Sequence, residues 1–347
     1  MNFLTSEFLD KYEDAPQHMN ELGSFVFYRT YSRFLPEKGR RETWKEAITR
    51  ATNYSIRIAH DHLSKLGLPV NVTLMSREAE ALFDNIYNLR QFLSGRTHWV
   101  GGAESSVADK YPLANFNCAF IEIEKWEDLG ELFYLLLVGT GVGFSVRDEI
   151  IAKMKPLRHD LKVEHATYEP INKEHRIENT QLNVLENGYA KMYVGDSKEA
   201  WVQALTKYFE LLQNDDIHTL KISYNSVRPA GEELKTFGGR ASGYETLRDM
   251  FEGISKSISG ELDPLLDAPE AVTFSYSKLR PIHVMDMANL IGYNVVSGGV
   301  RRTALITLFD SDNFEVMLAK YGINGIWDEQ QHIKVINALA SRGYKEW

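Results

Sequence analysis

The sequence predicts an α/β fold with parallel strand pairing, preceded by an α-helical amino-terminal region. Up to about residue 110, apolar side chains recur at helical spacing, and from about residue 111 short β-type runs alternate with helix-like segments. Such alternation is typical of parallel sheets whose strands are joined by helices. With 347 residues, 44% of them hydrophobic, the chain has enough apolar side chain for a sizeable core. We therefore expect a helical region over 1–110 and an α/β domain over 111–347.

Two amphipathic helices are predicted in the amino-terminal region. The first runs from Glu42 to Leu66, and Gly67 ends it. The second covers about 77–93, with Ser76 as its N-cap. Both carry one apolar face, as helices that pack on a common core do.

The α/β domain is predicted to contain three strands and five helices in its clearest parts. The strands lie at 115–123, 219–224 and 305–308, and the helices at about 126–138, 196–212, 244–259, 282–297 and 329–342. Asp196 and Glu199 form a capping box at the start of one helix. Residues 158–195 are polar and break the alternation, so they are expected to form an exposed excursion, and their histidines a solvated surface (His159, His165, His175).

Composition excludes several classes of function. The net charge of −9 argues against a surface for polymeric nucleic acid or for a membrane, although a few local arginines suffice for a single nucleotide. Apolar runs stay below the roughly 18 residues that a membrane span needs, and the start of the sequence lacks a signal-peptide pattern, so a cytoplasmic location is expected. The one cysteine, Cys118, permits no internal disulfide and no cysteine-based zinc site.

A glycine-rich cationic loop follows the predicted strand 219–224. Residues 228–243 contain four glycines, two arginines and one lysine. Such a loop leaves its backbone free to approach phosphates or a base, although an ordinary connection between a strand and a helix also needs turn residues. A second cationic turn, at 297–304, carries Arg301 and Arg302. The run Gly139–Gly143 lacks the glycine spacing of a dinucleotide fingerprint.

Four motifs occur together in one order: Asn117-Cys-Ala-Phe120, Gly139-Thr-Gly-Val-Gly-Phe144, the loop 228–243, and Gly299-Val-Arg-Arg302. This set resembles the large catalytic chain of ribonucleotide reductases. It is most similar to the monomeric ribonucleoside-triphosphate reductases that depend on adenosylcobalamin. Segments 27–33 and 82–96 resemble the same branch, so the resemblance spans nearly the whole chain.

The resemblance implies a fold and a reaction. The family fold is a ten-stranded α/β barrel made of two parallel five-stranded halves, and this chain would supply the helical region and the first half. In the family reaction a cysteine thiyl radical takes the 3′ hydrogen of a ribonucleotide, the 2′-hydroxyl leaves as water, and two thiols become a disulfide. Cys118 matches the first-strand member of that redox pair, which favours a reactive role over that of a small buried hydrophobe.

The resemblance also assigns binding roles. The loop 228–243 matches the family's specificity loop, which couples a deoxyribonucleotide effector to the choice of ribonucleotide substrate. Its predicted contact residues are Arg228, Pro229, Ala230, Gly231, Glu232, Lys235, Gly238 and Gly239, with Arg301 and Arg302 as support. An insertion at about 158–200 stands where other branches use a second subunit, and the predicted effector contacts are Arg147, Lys153, Lys155 and Arg158.

The chain departs from the family pattern in its cysteines. The chemistry needs a radical cysteine and a reducing pair, yet the sequence has one thiol and lacks the Asn-Pro-Cys-Gly-Glu loop. We therefore expect the amino-terminal piece of a split or intein-interrupted reductase, inactive without a carboxy-terminal-half polypeptide that binds most of the adenosylcobalamin and accepts electrons from a thioredoxin-like reductant. Two alternatives stay open: a noncatalytic nucleotide-binding regulatory chain derived from the barrel, and a free-standing enzyme of another radical or cofactor type.

Overall fold

The computed structural model describes residues 2–103, 107–233, 240–263, 266–297 and 303–319. The chain divides into two compact units, Met1–Asn117 (the N-terminal unit) and Cys118–Trp347 (the C-terminal unit). The predicted helix 329–342 lies outside the described residues. None of the helices within the described ranges is long and apolar enough to cross a membrane.

The N-terminal unit is built from helices around one apolar core. Its helices are α1 (Ser6–Leu9), α2 (Glu21–Val26), α3 (Trp44–Lys65), α4 (Val72–Tyr87), α5 (Gly95–Val100) and α6 (Val107–Lys110), and its strands are β1 (Phe34–Leu35) and β2 (Arg40–Arg41). A π-helical turn, Phe27–Tyr31, continues α2. Ile48 of α3 and Phe83 and Ile86 of α4 are completely buried, so the two long helices supply the centre of this core.

The predicted first helix is confirmed, whereas both predicted ends of the second are wrong: it spans Val72–Tyr87 and not about 77–93. A capping box between Thr43 and Glu46 starts α3. Helix α4 begins at Val72, where the Asn71 side chain accepts a hydrogen bond from the Leu74 backbone N–H. Asn71 caps the helix five residues before Ser76, because an asparagine satisfies the free amides of a first turn as well as a serine does.

A buried polar cluster lies beside α3. Arg50 forms a bidentate pair with Glu42, its Nε and Nη2 lying 2.7 Å and 2.9 Å from the carboxylate oxygens. Nη2 also donates to the carbonyl of His98 at 3.0 Å. The His98 ring accepts a hydrogen bond from the Leu93 backbone N–H through Nε2, at 3.2 Å, so this contact needs a neutral imidazole. Burial, and secondly the charge of Arg50, lower the pKa of His98 to about 4.

We expect the stability of the N-terminal unit to depend on pH through His98. An unfolded histidine titrates near 6.5, whereas the folded one titrates near 4, so the unfolded chain binds more protons between these values. Unfolding free energy should therefore fall as pH falls from about 6.5 to about 4, by about 3 kcal/mol in total. Urea unfolding at several pH values in this range measures how the unfolding free energy depends on pH. That dependence should be weaker in His98→Gln than in wild type, and unchanged in the exposed control His62→Gln. An unchanged dependence in His98→Gln would contradict the assignment.

The C-terminal unit alternates strands and helices. Its strands are β3 (Cys118–Glu122), β4 (Gly141–Ser145), β5 (Leu157–Arg158), β6 (Lys162–His165), β7 (Gln181–Val184), β8 (Tyr189–Tyr193), β9 (Thr219–Ser223), β10 (Glu270–Ala271), β11 (Tyr276–Lys278) and β12 (Leu305–Leu308). Its helices are α7 (Asp128–Leu137), α8 (Asp148–Ile151), α9 (Lys198–Leu211), α10 (Glu245–Ser259), α11 (Pro281–Val296) and α12 (Phe314–Met317).

Parallel pairing dominates two sheets, β12-β4-β3 and β6-β9-β8-β7. In the three-stranded sheet, with order β12-β4-β3, all pairs are parallel. In the four-stranded sheet, with order β6-β9-β8-β7, only β7 runs antiparallel to its neighbour. Strands β10, β11 and β5 form a small antiparallel sheet. The predicted α/β pattern with parallel strands is therefore confirmed.

One core joins the helices to the covered faces of the sheets. Phe133 of α7, Phe144 of β4 and Phe251 of α10 are completely buried within it. Trp126 stacks on Phe209 of α9 with ring centroids 5.7 Å apart. Large aromatic rings contribute strongly to the stability of this unit, because burying one takes about 150–250 Å² of surface out of contact with water.

The polar segment 158–195 is not the exposed excursion that we expected. It supplies β6, β7 and β8, three members of the four-stranded sheet. Ala190 and Met192 of β8 are completely buried. His165 is half-buried, with Nδ1 3.0 Å from the Tyr224 hydroxyl, whereas His175 is exposed as predicted. These strands are short, and every second residue in them is polar and faces outward. A clear strand signal is therefore absent from the sequence here.

Alanine substitutions at Phe144 and at Phe120 should distinguish the buried face of the β12-β4-β3 sheet from its exposed face. Phe144→Ala should lower the free energy of unfolding by about 3–5 kcal/mol, because it leaves a cavity in the core. Phe120→Ala should change it by under about 1 kcal/mol, because the ring is 57% exposed in this chain. Urea unfolding measures both. Equal losses for the two variants would show that the face carrying Phe120 is covered.

Candidate functional site

Cys118 is the first residue of β3 and lies on the uncovered face of the three-stranded sheet. The strand alternates, so Cys118, Phe120 and Glu122 are exposed while Ala119 and Ile121 face the helices. In the parallel register Cys118 pairs with Gly141 of β4. The thiol is free and exposed. A reagent or a second polypeptide segment can therefore reach it directly.

We call this surface the open face, defined by Cys118, Phe120, Gly141, Gly143, Ile306 and Leu308. Phe120 is 57%, Ile306 63% and Leu308 48% exposed. Gly143 separates them, and a Cβ there would lie 3.2 Å from the Phe120 ring and 3.3 Å from a methyl group of Ile306. Parallel sheets are normally covered on both faces. In the described residues this parallel face is exposed, and it carries both apolar side chains and the thiol.

The loop 228–243 leaves β9 and returns to α10 as a hairpin-like stem. Gly231 donates its N–H to the carbonyl of Ala241 at 2.9 Å, and Ala241 donates to the carbonyl of Glu232 at 2.8 Å. Gly231 has φ of 86°, a left-handed conformation that glycine adopts without strain. Five predicted site residues lie outside the described residues: Lys235, Gly238, Gly239, Arg301 and Arg302.

Ion pairs fix the first part of this loop. Arg228 donates through Nε to Asp196 at 2.8 Å, and Glu232 accepts two hydrogen bonds from Arg176, at 2.9 Å and 2.7 Å. The Arg176 guanidinium holds the pKa of Glu232 below its usual value, against the opposing effect of burial. The prediction that Asp196 caps α9 is wrong. Ser197 is the N-cap and accepts from the Ala200 N–H, which leaves the Asp196 carboxylate free to bind arginine.

Aromatic rings hold the two ends of the loop together. Tyr224 precedes the loop and Tyr244 follows it, with centroids 5.6 Å apart. Tyr168 stacks on Tyr244 at 4.1 Å and donates its hydroxyl to the carbonyl of Val227 at 2.9 Å. The sequence motifs did not predict this stack. The visible signal of this stack in the sequence is the pair of tyrosines, Tyr224 and Tyr244, on either side of the glycine-rich segment.

The predicted effector residues do not form one cluster. Arg147 follows β4 and lies 3.8 Å from Glu122 and 3.9 Å from Asp310, and it also pairs with Glu149. It lines an open cleft of about 690 Å³ at the carboxyl ends of β4 and β12, together with Asp148, Glu149, Asp310, Ser311, Asp312, Asn313, Phe314 and Glu315. Carboxyl ends of parallel strands are a common place for ligands.

Lys153, Lys155 and Arg158 lie beyond α8. The side chains of both lysines are exposed and available to an anion. Arg158 is buried, and its Nη1 donates to the carbonyls of Asn214 and Ile217, each at 2.6 Å. Its Nε donates to Asp160 at 2.8 Å. In this conformation Arg158 ties β5 to the turn after α9.

Comparison with known proteins connects these features to one class of enzyme. A family model described as the ribonucleotide reductase alpha domain matches residues 4–103. An adenosylcobalamin-dependent ribonucleoside-triphosphate reductase of Lactobacillus helveticus is 31% identical, over 91% of this chain and 45% of the relative. The enzyme of the same name from Lactobacillus leichmannii is 28% identical with the same coverage, and a probable one from Dictyostelium discoideum is 28% identical over 92% and 40%.

The crystal structure of a B-12-dependent, class II ribonucleotide reductase matches with a TM-score of 0.75 and 24% identity, over 96% of this chain and 47% of that one. The chain thus has the ribonucleotide reductase type of α/β fold. The resemblance found in the sequence motifs is confirmed: the chain is related to the amino-terminal portion of adenosylcobalamin-dependent ribonucleoside-triphosphate reductases. It spans about half the length of the curated relatives that it matches.

The exposure of Cys118 predicts that the thiol reacts in the native chain. Ellman's reagent should modify one thiol per chain without denaturant, at a rate within about tenfold of that in the denatured chain. The product absorbance gives both the number of thiols and the rate. Modification that occurs only after unfolding would contradict the position of Cys118 on the open face.

Proposed function

We propose that this chain forms the substrate- and effector-binding, amino-terminal part of an enzyme that reduces ribonucleoside triphosphates to deoxyribonucleotides. The observation that carries the proposal is the exposed Cys118 at the start of the first parallel strand. The chain around it is related over 91% of its length to such reductases, which supports a reactive thiol here. A thiol that donates electrons needs access both to the substrate and to a reductant.

In the proposed chemistry Cys118 is one of two reducing thiols. A thiyl radical on another cysteine removes the 3′ hydrogen of the ribose, and the 2′-hydroxyl leaves as water. The two thiols then supply two electrons and two protons and form a disulfide, and the radical cysteine returns the 3′ hydrogen. The products are a 2′-deoxyribonucleotide, water and the disulfide, which a thioredoxin-like reductant reduces again.

The other groups of this reaction are assigned to carboxy-terminal sequence, on the same polypeptide or on a separate one. Cys118 is the one thiol in the sequence, so the radical cysteine and the second reducing cysteine come from elsewhere. Adenosylcobalamin would supply the radical when bound. We assign most of the contacts to adenosylcobalamin to the carboxy-terminal half.

The open face supports the assignment of a carboxy-terminal half as partner. Its exposed side chains, Phe120, Ile306 and Leu308, are apolar, and Phe120 lies on the same side of β3 as Cys118, two residues further on. A second barrel half laid over this face would bury these side chains and enclose the thiol in a chamber that excludes water. The amino-terminal part alone would then be inactive.

We assign substrate binding to the glycine-rich loop and effector binding to exposed cationic side chains. We assign the substrate to the loop that includes Arg228, Pro229, Ala230, Gly231, Glu232, Lys235, Gly238 and Gly239, supported by Arg301 and Arg302. We assign the triphosphate of a deoxyribonucleotide effector to the exposed Lys153 and Lys155. Arg147 would join them only by leaving its acidic partners Glu122, Glu149 and Asp310. Arg158 would enter that site only by giving up its two backbone carbonyls, so we assign to it the anchoring of β5. The reaction would take place in the cytoplasm.

Replacing the thiol of Cys118 tests the proposal. In an enzyme reconstituted with the carboxy-terminal half and adenosylcobalamin, Cys118→Ser should reduce steady-state turnover with a thioredoxin-like reductant by about 1,000-fold or more, because one member of the dithiol is lost. Ala119→Ser is the matched control, since it adds the same hydroxyl on the opposite face of the strand. It should keep turnover within about threefold.

The same experiment separates the two classes of function. Turnover that is unchanged in Cys118→Ser would contradict the redox role. Nucleotide binding by calorimetry, without any turnover that depends on this chain's thiol, would favour a noncatalytic regulatory chain. Absence of both nucleotide binding and turnover in the reconstituted wild-type enzyme would overturn the proposed function as a whole.

A further inference from the structure

Arg176 lies in the connection between β6 and β7 and contacts Glu232 of the loop 228–243. Its side chain is 8% exposed. Nη1 and Nη2 donate to the two carboxylate oxygens of Glu232, at 2.9 Å and 2.7 Å, and Nε donates to the carbonyl of Ile171 at 3.1 Å. A planar guanidinium that binds a carboxylate in two places fixes its orientation as well as its distance.

The same guanidinium also reaches the start of α9. Arg176 Nη1 lies 3.2 Å from Oδ2 of Asp196, whose Oδ1 accepts hydrogen bonds from Nε of Arg228 at 2.8 Å and from its backbone N–H at 3.2 Å. Arg176, Asp196, Arg228 and Glu232 thus form one network, which we call the loop network. It contains two positive and two negative side chains, so their charges balance.

The loop network fixes two points of the loop. Arg228 is its first residue and Glu232 lies four residues further on, directly after Gly231 in the stem. Arg176 contacts both carboxylates, whereas Arg228 contacts only Asp196 within the network. Arg176 is therefore the side chain that connects Glu232 to the rest of the network. Removing it would leave two partly buried carboxylates competing for one cation.

Arg176 belongs to the segment 158–200, and the backbone of the next residue, Ile177, contacts both Asp196 and the chain just before the loop. Ile177 donates its N–H to the Ser226 hydroxyl at 3.3 Å, just before the loop, and its carbonyl accepts from the Asp196 N–H at 2.8 Å. A displacement of the chain at 176–177 therefore moves the partners of Glu232 and of Arg228 together.

We propose that Arg176 is a positioning residue for substrate selection: it transmits the conformation of the segment 158–200 to the stem of the loop 228–243 through Glu232. This inference rests on the proposed function, in which the insertion 158–200 belongs to the effector region and the loop 228–243 selects the substrate. An ion pair with a purely structural role would contribute to stability and leave the choice of substrate unchanged, and the experiment below separates the two roles.

The test uses the reconstituted enzyme with its carboxy-terminal half. The relative reduction rates of the four ribonucleoside triphosphates are measured without effector and with each deoxyribonucleoside triphosphate, for wild type, Arg176→Ala, Arg176→Lys and Glu232→Gln. In wild type an effector should change the ratio of reduction rates between two substrates about fivefold or more, which corresponds to about 1 kcal/mol of coupling. In Arg176→Ala the effector should change that ratio by less than about twofold. The turnover of this variant without effector should stay within about twofold of wild type.

The conservative variants sharpen the result. Arg176→Lys keeps the charge and loses the two-point contact, so it should retain only part of the response. Glu232→Gln should lose the response as Arg176→Ala does, and the double variant should lose no more than either single one. Arg50→Ala is the matched control, because it breaks another buried bidentate arginine–glutamate pair, in the N-terminal unit. It should leave the effector response unchanged.

Amide hydrogen exchange provides a readout that does not need turnover. The N–H groups of Gly231 and Ala241 close the stem, and they should exchange at least about tenfold faster in Arg176→Ala than in wild type and in Arg50→Ala. A wild-type effector response that persists in a folded Arg176→Ala would overturn the role of Arg176 alone. If Arg176→Ala does not fold, persistence in both Arg176→Lys and Glu232→Gln has the same meaning. A wild-type enzyme that binds no nucleotide would overturn the proposed function and the regulatory role with it.

Discussion

The structure depends most on the parallel register of β3, β4 and β12. Val142 and Phe144 of the central strand are buried against helices on one face, while Gly141 and Gly143 leave the other face without side chains of their own. Because strand side chains alternate, this register also determines that Cys118 and Phe120 point away from the core. A shift of β3 by one residue would turn Cys118 and Phe120 towards the core. The helices can therefore stabilise the sheet through one face, and the other remains available for chemistry.

A second constraint is electrostatic and acts on the loop after β9. Glycines give this loop little intrinsic conformation, so its shape is imposed by contacts with other segments. Tyr224 and Tyr244 hold its ends, and Arg176 and Asp196 hold its first residues. These partners flank β9, α9 and α10 or lie in the connection between β6 and β7, which gives the start of the loop a defined conformation and connects it to residues 158–200.

The sequence predicted elements whose patterns are local. Helix α3, strand β3, helices α10 and α11 and strand β12 were found from periodicity within one or two residues of most of their ends. Strands β6 and β8 were missed because their outward residues, such as Lys191, made a short buried strand look like solvated chain. Asp196 was assigned to a helix cap because its partners, Arg176 and Arg228, are 20 and 32 residues away. Contacts of that range become visible only in the folded chain. Four motifs in combination identified the related reductases, but the position of Cys118 on an uncovered face became clear only from the strand register.

The central claim is that Cys118 on the open face reduces a ribonucleotide together with a cysteine of the carboxy-terminal half. The most direct measurement is a single turnover of the reconstituted, fully reduced enzyme with adenosylcobalamin, one ribonucleoside triphosphate and no external reductant, followed by alkylation and peptide mass spectrometry. The account predicts one deoxyribonucleotide and one disulfide per enzyme, with Cys118 in that disulfide. Formation of the deoxyribonucleotide while Cys118 remains a free thiol would contradict it.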